Sequence, residues 1–372
     1  MVLKSISLIN FRLHKNSSLN FSEKINFIIG GNGEGKTSLL EAIYYLTTTK
    51  SFVSNSDYEA VRFGKEGFEL SGNFRNKTEN KVRIIYSKTT GKKQIFLNNK
   101  QIGKSSTIIG KFPVVTLTQS DHYITKGYPE ERRKFVNSVI SQASSTYLNY
   151  LIEYNRILRQ RSSLMQKIKE NYSEKLLNEF DAWTEYLITS GVEIVKHRLE
   201  FINDFNDYLK EAYANIMQEK EIPIVKYNFL ETTDANEVEK LFRERIRLRK
   251  DEELRRASNL VGPHRDDFHF LFNNLELRKF GSQGQHKTFQ IALRFAQFFY
   301  LKEKLNKTPI FLMDDVFGEL DTFRSRKISS YLGEIGQAFI TLTDFSNYKK
   351  ILNGQKDKLI KVKNGVCSYE SN

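Results

Sequence analysis

Gly30-Gly31-Asn32-Gly33-Glu34-Gly35-Lys36-Thr37 fits the pattern G-x-x-x-x-G-K-[ST]. It stands between Ile25–Ile29, an apolar run of strand length, and Leu39, Ile43 and Leu46, which recur at helical spacing. Strand, glycine loop and helix in that order are the setting a phosphate-binding loop requires. The glycines let the backbone curl so that its N–H groups face phosphate oxygens, and the helix N-terminus adds a positive dipole. On this reading Gly30, Gly31, Asn32, Gly33, Glu34, Gly35 and Ser38 surround the phosphates. Lys36 reaches the β/γ-phosphates as a catalytic charge, and Thr37 offers its hydroxyl to Mg²⁺. The plainer alternative is a glycine-rich turn with an exposed lysine, and the flanking strand and helix argue against it.

Further along, Ile310-Phe311-Leu312-Met313-Asp314-Asp315 is a continuous apolar run ending in two carboxylates. A parallel strand covered on both faces reads this way, and charge at its C-terminal end falls in the crevice where ligands bind. Asp314 fits the metal partner of Thr37, and Asp315 the group that orients the attacking water. Alone, such a run also fits an ordinary turn. Phe280-Gly281-Ser282-Gln283-Gly284-Gln285-His286-Lys287 precedes it, and Phe289, Ala292, Leu293 and Ala296 follow at helical spacing. Serine and glycines at a helix start offer free N–H groups and a hydroxyl to an anion; an N-cap after a flexible loop reads the same. Glu319-Leu320-Asp321 closes the series. Phosphate loop, serine-glycine segment, Asp-Asp strand and Glu-Leu-Asp, in that order, are jointly specific where each alone is not.

The periodicity changes twice. From residue 1 to about 125 the chain reads as short strands with one helix: Ile6 and Leu8 alternate with serines, as do Leu19 and Phe21 with Ser18 and Asn20, and Phe68, Leu70 and Phe74 with polar neighbours. Residues 126–256 are helical. Leu151, Leu158 and Met165 stand seven apart and Ile157 and Leu164 repeat the offset, which predicts a short coiled-coil arm. Asn171-Tyr172-Ser173 would turn it, and Leu176, Phe180, Trp183 and Leu187 would pack back. A helix over Tyr147–Glu170 is only about 36 Å long, too short for an extended coiled coil. Residues 257–372 return to apolar runs at Phe268–Phe272, Ile310–Met313 and Ala338–Leu342. The expected fold is α/β, with mixed sheet plus antiparallel strands in two halves, 1–125 and 257–372, and 126–256 inserted as a helical lobe.

The chain has 372 residues, a net charge of +14, 39% hydrophobic residues and one cysteine, Cys367. A core of good size follows, and neither an internal disulfide framework nor a cysteine-based zinc cluster can form. No apolar run approaches the roughly 20 residues of a membrane helix, and Met1–Asn10 alternates as a strand would, so a cytoplasmic protein is expected. The basic surplus points to a polyanion. Within Leu241–Arg256 seven residues are basic and four acidic, and Arg243, Arg247 and Lys250 share a helix face. Arg156, Arg159, Arg161, Lys167 and Lys169 form a second group. Nucleic-acid phosphate is the favoured partner of both; the alternative is a solvated helix with ion pairs such as Arg249 with Glu253. Asn99-Lys100-Gln101-Ile102 and Asn306-Lys307-Thr308-Pro309 both lack the aspartate of a guanine-reading motif, which favours ATP.

The motif order resembles the ABC-type ATPase heads of SMC-like DNA repair proteins, and within them the RecF family. Asn10-Phe11-Arg12, Gly127-Tyr128-Pro129-Glu130-Glu131-Arg132-Arg133-Lys134-Phe135 and Gly262-Pro263-His264-Arg265-Asp266-Asp267 extend the likeness over nearly the whole chain. The resemblance implies an ATP-dependent homodimer with two composite sites, in which Ser282, Gly284 and Gln285 face the partner's nucleotide. It also implies binding to gapped DNA or single-/double-stranded junctions, with RecO and RecR as partners in loading RecA. Thr118-Gln119-Ser120-Asp121 departs from the family's usual serine-proline-acid-acid run, so Gln119 is either the nucleotide-sensing glutamine or its neighbour. Asp315 stands where transporter-type relatives carry glutamate, and a slow, DNA-stimulated ATPase is expected. The alternative from another class is the ATPase component of an overcoming-lysogenisation-type nuclease or toxin system, which requires a separate cutting partner.

Overall fold

In the computed structural model, the described residues are 1–217, 221–317, 327–328, 331–343 and 357–370; the Glu319-Leu320-Asp321 stretch lies outside them. The chain divides into two compact units, one of Met1–Asp121, Ala214–Gln218 and Ile291–Asn372, the other of His122–Tyr213 and Glu219–Gln290.

In the first unit, β3 (Ile25–Ile29), β8 (Val114–Leu117), β12 (Ile310–Asp314), β13 (Ala338–Leu342) and β14 (Lys358–Lys363) run parallel, with β15 (Val366–Glu370) antiparallel at one edge. The strand order is β15-β14-β3-β13-β12-β8. The four middle and edge strands β3, β8, β12 and β13 are buried almost throughout, the reason they read as unbroken apolar runs. A second, antiparallel sheet has the order β2-β1-β4-β5-β6-β7, formed by β1 (Val2–Phe11), β2 (His14–Asn20), β4 (Gly67–Arg75), β5 (Glu79–Ser87), β6 (Lys92–Leu97) and β7 (Lys100–Ile102). Here the alternation expected from sequence holds: Ile6, Leu8, Leu19, Phe68, Leu70 and Phe74 face the core.

Helix α1 (Lys36–Thr48) touches strands of both sheets and buries Leu39, Leu40, Ile43 and Leu46 between them. Gly72 occupies the inward position between Leu70 and Phe74 because Leu46 presses there: a Cβ would meet Leu46 Cδ1 at 2.8 Å. This packing fixes α1, and with it the loop that precedes it.

The second unit is largely helical, with α2 (His122–Lys126), α3 (Pro129–Ala143), α4 (Ser145–Glu170), α5 (Glu174–Ile216, whose last residues fall in the first unit), α6 (Val238–Arg256) and α7 (Leu277–Phe280). The turn expected at Asn171-Tyr172-Ser173 separates α4 from α5, and Leu164, Met165 and Ile168 pack on Phe180, with Leu176 and Trp183 alongside. Two expectations change here. Arg161, grouped from sequence with the surface basic residues, is fully buried in the seam Tyr154, Ile157, Arg161, Leu164, Ile168. The run Phe268–Phe272 (β10) belongs to a separate three-stranded sheet, antiparallel to β9 (Pro223–Tyr227) and β11 (Leu275–Glu276). His269 is its one exposed residue, and Leu271 on the same face is buried.

Candidate active site

The phosphate loop leaves β3 at Ile29 and enters α1 through Gly35, which caps the helix at φ 109; Gly33 also takes a positive φ, 77°. Only glycine adopts such angles without strain, so two of the four motif glycines are required by backbone shape. Gly30 is required by close approach, because a Cβ there would meet the Val362 carbonyl oxygen at 2.3 Å. Lys36 folds back over the loop, and its Nζ donates to the carbonyls of Gly30 (2.6 Å) and Gly31 (2.8 Å). Burial pulls its pKa below that of an ordinary lysine, while Asp315, Asp314 and Glu34 oppose the shift.

Strand β12 ends at Asp314, and Thr37 Oγ1 donates to its carboxylate at 2.9–3.0 Å. The neighbouring β13 contributes Thr341, opposite Asp314 in register, whose hydroxyl donates to Asp314 Oδ1 at 2.8 Å and accepts the Asp315 N–H at 2.8 Å. Burial raises the pKa of Asp314; the Thr341 and Thr37 hydrogen bonds and the Lys36 charge counter it. Asp315 takes φ 50, a left-handed conformation that aspartate tolerates better than most residues, and this turns it out of the strand line. Thus Lys36, Thr37, Asp314 and Asp315, widely separated in sequence, come together at the C-terminal ends of β3 and β12, where an open α/β sheet binds ligands.

The donor set fits a nucleotide with a hard divalent cation. A hydroxyl and a carboxylate already in contact are oxygen ligands of the kind Mg²⁺ takes, with its remaining positions left to water and phosphate. Among the described residues, no group of three or more His, Cys, Asp or Glu side chains is placed to hold a metal ion.

Gln119 lies two residues beyond β8, whose end at Leu117 pairs with Met313 of β12. Asp121 of the same segment holds Arg294 with two hydrogen bonds, of 2.7 and 2.9 Å, which anchors the turn. Sequence reasoning assigned no role to Arg12, Thr341 or His14. Arg12 forms a double hydrogen bond to the buried Glu41 of α1, at 2.7 and 2.9 Å, and donates to the Glu59 carbonyl. Beside Ser38 a cavity of about 1130 Å³ is lined by Arg12, Leu13, Tyr58, Phe63 and Lys88, with Phe63 fully exposed. Thr341 was the lone polar residue near the end of an apolar run, a signal that sequence offered.

In the second unit Ser282 and Gln285 cap the start of α8 (Gln283–Leu305) reciprocally: Gln285 N–H donates to Ser282 Oγ (3.2 Å) and Ser282 N–H to Gln285 Oε1 (2.8 Å). Ser282 is exposed, Gly284 is half-buried, and the buried His286 Nδ1 has no hydrogen-bond partner. The stretches Gly127–Phe135 and Gly262–Asp267 interlock: Arg132 clamps Asp267 at 2.7 and 2.9 Å, Arg133 donates to the Asp266 carbonyl, and Asp266 accepts from Tyr227 and Arg198. Burial pushes Asp266 up to about 6 and pulls His264 down to about 4. His264 bonds the Tyr154 hydroxyl and faces the Asn259 carbonyl, which makes it a structural residue.

Of the basic residues expected to meet nucleic acid, Arg243 pairs with Glu185 and Glu239 and Lys250 with Asp181, so both tie α6 to α5. Arg247 has no ion pair among the described residues. Arg156 lies over Trp183 and beside Glu153, and Arg159 is exposed. The expected Arg249–Glu253 pair is replaced by Arg249–Glu252, because Glu253 turns inward to Arg161.

The family described as RecF/RecN/SMC N terminal domain matches residues 2–366. A DNA replication and repair protein RecF of Chloroherpeton thalassium is 41% identical, aligned over 94% of this chain and 97% of its own length. That of Salinibacter ruber is 37% identical, over 95% and 88%. Among solved structures, the recombination mediator protein RecF with ATP superposes with a TM-score of 0.90 at 32% identity, over 99% of this chain and 97% of that one. An SMC head domain from Pyrococcus furiosus, 16% identical with a TM-score of 0.57, shares the fold.

Proposed function

This chain belongs to the RecF family, and from that premise we propose that it is an ATP-gated, DNA-binding switch that acts in DNA repair and replication restart. One observation carries the reading: Lys36, Thr37, Asp314 and Asp315 converge at the ends of β3 and β12, with Thr37 hydrogen-bonded to Asp314.

The loop N–H groups and the start of α1 would receive the phosphates. The Lys36 ammonium, held among the described residues by two loop carbonyls, would exchange them for phosphate oxygens at little cost. Thr37 and Asp314 would hold Mg²⁺, which neutralises phosphate charge when bound. Asp315 would orient the attacking water. Its side chain is one methylene shorter than glutamate, and slow turnover follows from the longer reach to that water. The base would enter the cavity beside Ser38, where Tyr58 and Phe63 offer aromatic faces. Gln119, at the end of β8, would sense the γ-phosphate.

Ser282, Gly284 and Gln285 would complete the site of a second copy, so that ATP joins two chains and hydrolysis parts them. Arg247, Arg156 and Arg159, with Arg243 and Lys250 when released from their carboxylates, would meet DNA phosphates. Gapped DNA is the substrate of this reading, RecO and RecR are its partners in loading RecA, and the cytoplasm is its place. The test is the mass of the protein by light scattering with ATP and Mg²⁺, with and without gapped DNA. A monomer that becomes a dimer only with ATP supports the reading; a mass that ignores ATP in both conditions overturns it.

A further inference from the structure

His14, the first residue of β2, is fully buried beneath the phosphate loop. Its Nε2 lies 3.1 Å from the carbonyl oxygen of Gly35, the residue before Lys36, and its Nδ1 lies 3.1 Å from Ser17 Oγ. A carbonyl oxygen only accepts, so the hydrogen sits on Nε2 and points at Gly35; Nδ1 is left to accept. Burial lowers the pKa of His14, which keeps the ring neutral near pH 7. One residue upstream, the Glu34 carbonyl accepts the Gly365 N–H at 2.9 Å, and the Glu34 carboxylate bonds the Asn364 N–H, both from the turn between β14 and β15. Ser17 stands between the two grips: its hydroxyl lies 3.2 Å from the Gly365 carbonyl as well as beside Nδ1, and its single hydrogen serves one of these acceptors at a time.

In a trans peptide the C=O of one residue and the N–H of the next point in opposite directions. A hand on the Gly35 carbonyl therefore aims the Lys36 N–H, and a hand on the Glu34 carbonyl aims the Gly35 N–H. Both belong to the unpaired amides at the start of α1 that a phosphate would accept from. Among the described residues, the other grip on the Gly35 carbonyl is a 3.2 Å bond from Leu39 N–H in the first turn of α1.

We propose that His14 is a positioning residue of the nucleotide site: by donating to Gly35 it fixes the Gly35–Lys36 peptide with its N–H turned toward the bound phosphate. This rests on the phosphate-loop reading above and adds to it a residue outside the motif.

Asparagine and glutamine at position 14 separate reach from polarity. The glutamine amide nitrogen falls where Nε2 is and still reaches Gly35; the asparagine amide falls near Nδ1 and reaches only Ser17. The measurement is the affinity for ATP with Mg²⁺ by titration calorimetry, with urea midpoints for each protein. His14→Gln is expected to bind within about twofold of the wild type, and His14→Asn about tenfold more weakly, the scale of one hydrogen bond. Labelling of Cys367, whose Sγ is 3.9 Å from His14 Nδ1, gives an independent readout: ATP should slow it in the wild type and in His14→Gln and lose that effect in His14→Asn. Equal ATP affinity in both variants, or an equal loss in both, overturns the role of His14. A wild type that binds no ATP overturns the phosphate-loop reading itself.

Discussion

Lys36 in the first unit and Arg161 in the second are both buried cations near carboxylates, yet their surroundings differ in kind. Arg161 spends its donors in a closed set: Nε to Thr184, Nη1 to Asn259 and Nη2 to Glu253, whose other oxygen accepts the Leu260 N–H. Each of its three nitrogens has a protein partner, and the side chain is fully buried. Lys36 touches two loop carbonyls that make no demand for a cation, and the carboxylates that favour its charge, Asp315, Asp314 and Glu34, are not in ion-pair contact with it among the described residues. Burial and charge therefore do not separate a structural group from a functional one. The completeness of the partners does.

The sharpest way to break this contrast is to remove each cation and compare. Arg161→Leu leaves Glu253 buried and unpaired, and it should lower the stability of the protein by about 3–5 kcal/mol in urea unfolding. Lys36→Ala should cost under about 1 kcal/mol, because loop carbonyls freed at the surface find water, while abolishing the response to ATP. A Lys36→Ala protein as unstable as Arg161→Leu would make the lysine structural and end the comparison.

A smaller effect sharpens the same contrast on α6. Replacing Arg243, Arg247 and Lys250 together by glutamine should reduce the slope of log K against log salt for duplex DNA by about 0.9 per lost phosphate contact. Arg247, with no ion pair among the described residues, should account for its full share alone; Arg243 must first release Glu185 and Glu239, so Arg243→Gln should change the slope less. A slope unchanged in the triple variant would make α6 a solvated helix braced against α5.

Much of the first unit was legible because period and chemistry agreed there. Ile310–Met313 reads as a covered parallel strand and ends in Asp314, and the alternation of Ile6, Leu8, Leu19, Phe68 and Phe74 reads as a one-sided antiparallel sheet; both occur. The loop's local shape was equally legible, since three of its four glycines, Gly30, Gly33 and Gly35, sit where positive φ or close approach requires them. Arg161 was misread although its position gave it away. Tyr154, Ile157, Arg161, Leu164 and Ile168 follow spacings of three and four, so the arginine stands at a seam position, but it was grouped by charge rather than by register. His14 was not legible at all. It meets Gly35 where β2 of the antiparallel sheet passes the loop that follows β3 of the other sheet, a contact between parts distant in sheet order and with no motif to mark it.

The central claim is that ATP joins two chains through composite sites, with Lys36 from one and Ser282 from the other. Its most direct test mixes two variants, Lys36→Ala and Ser282→Arg, each carrying a different fluorophore. Each alone forms no complete site and should stay monomeric with ATP and Mg²⁺. Mixed, they form one heterodimer with one intact site, and energy transfer should appear on adding ATP. Should Ser282 serve the nucleotide of its own chain, mixing restores no transfer at any ATP concentration, and that result would contradict the account.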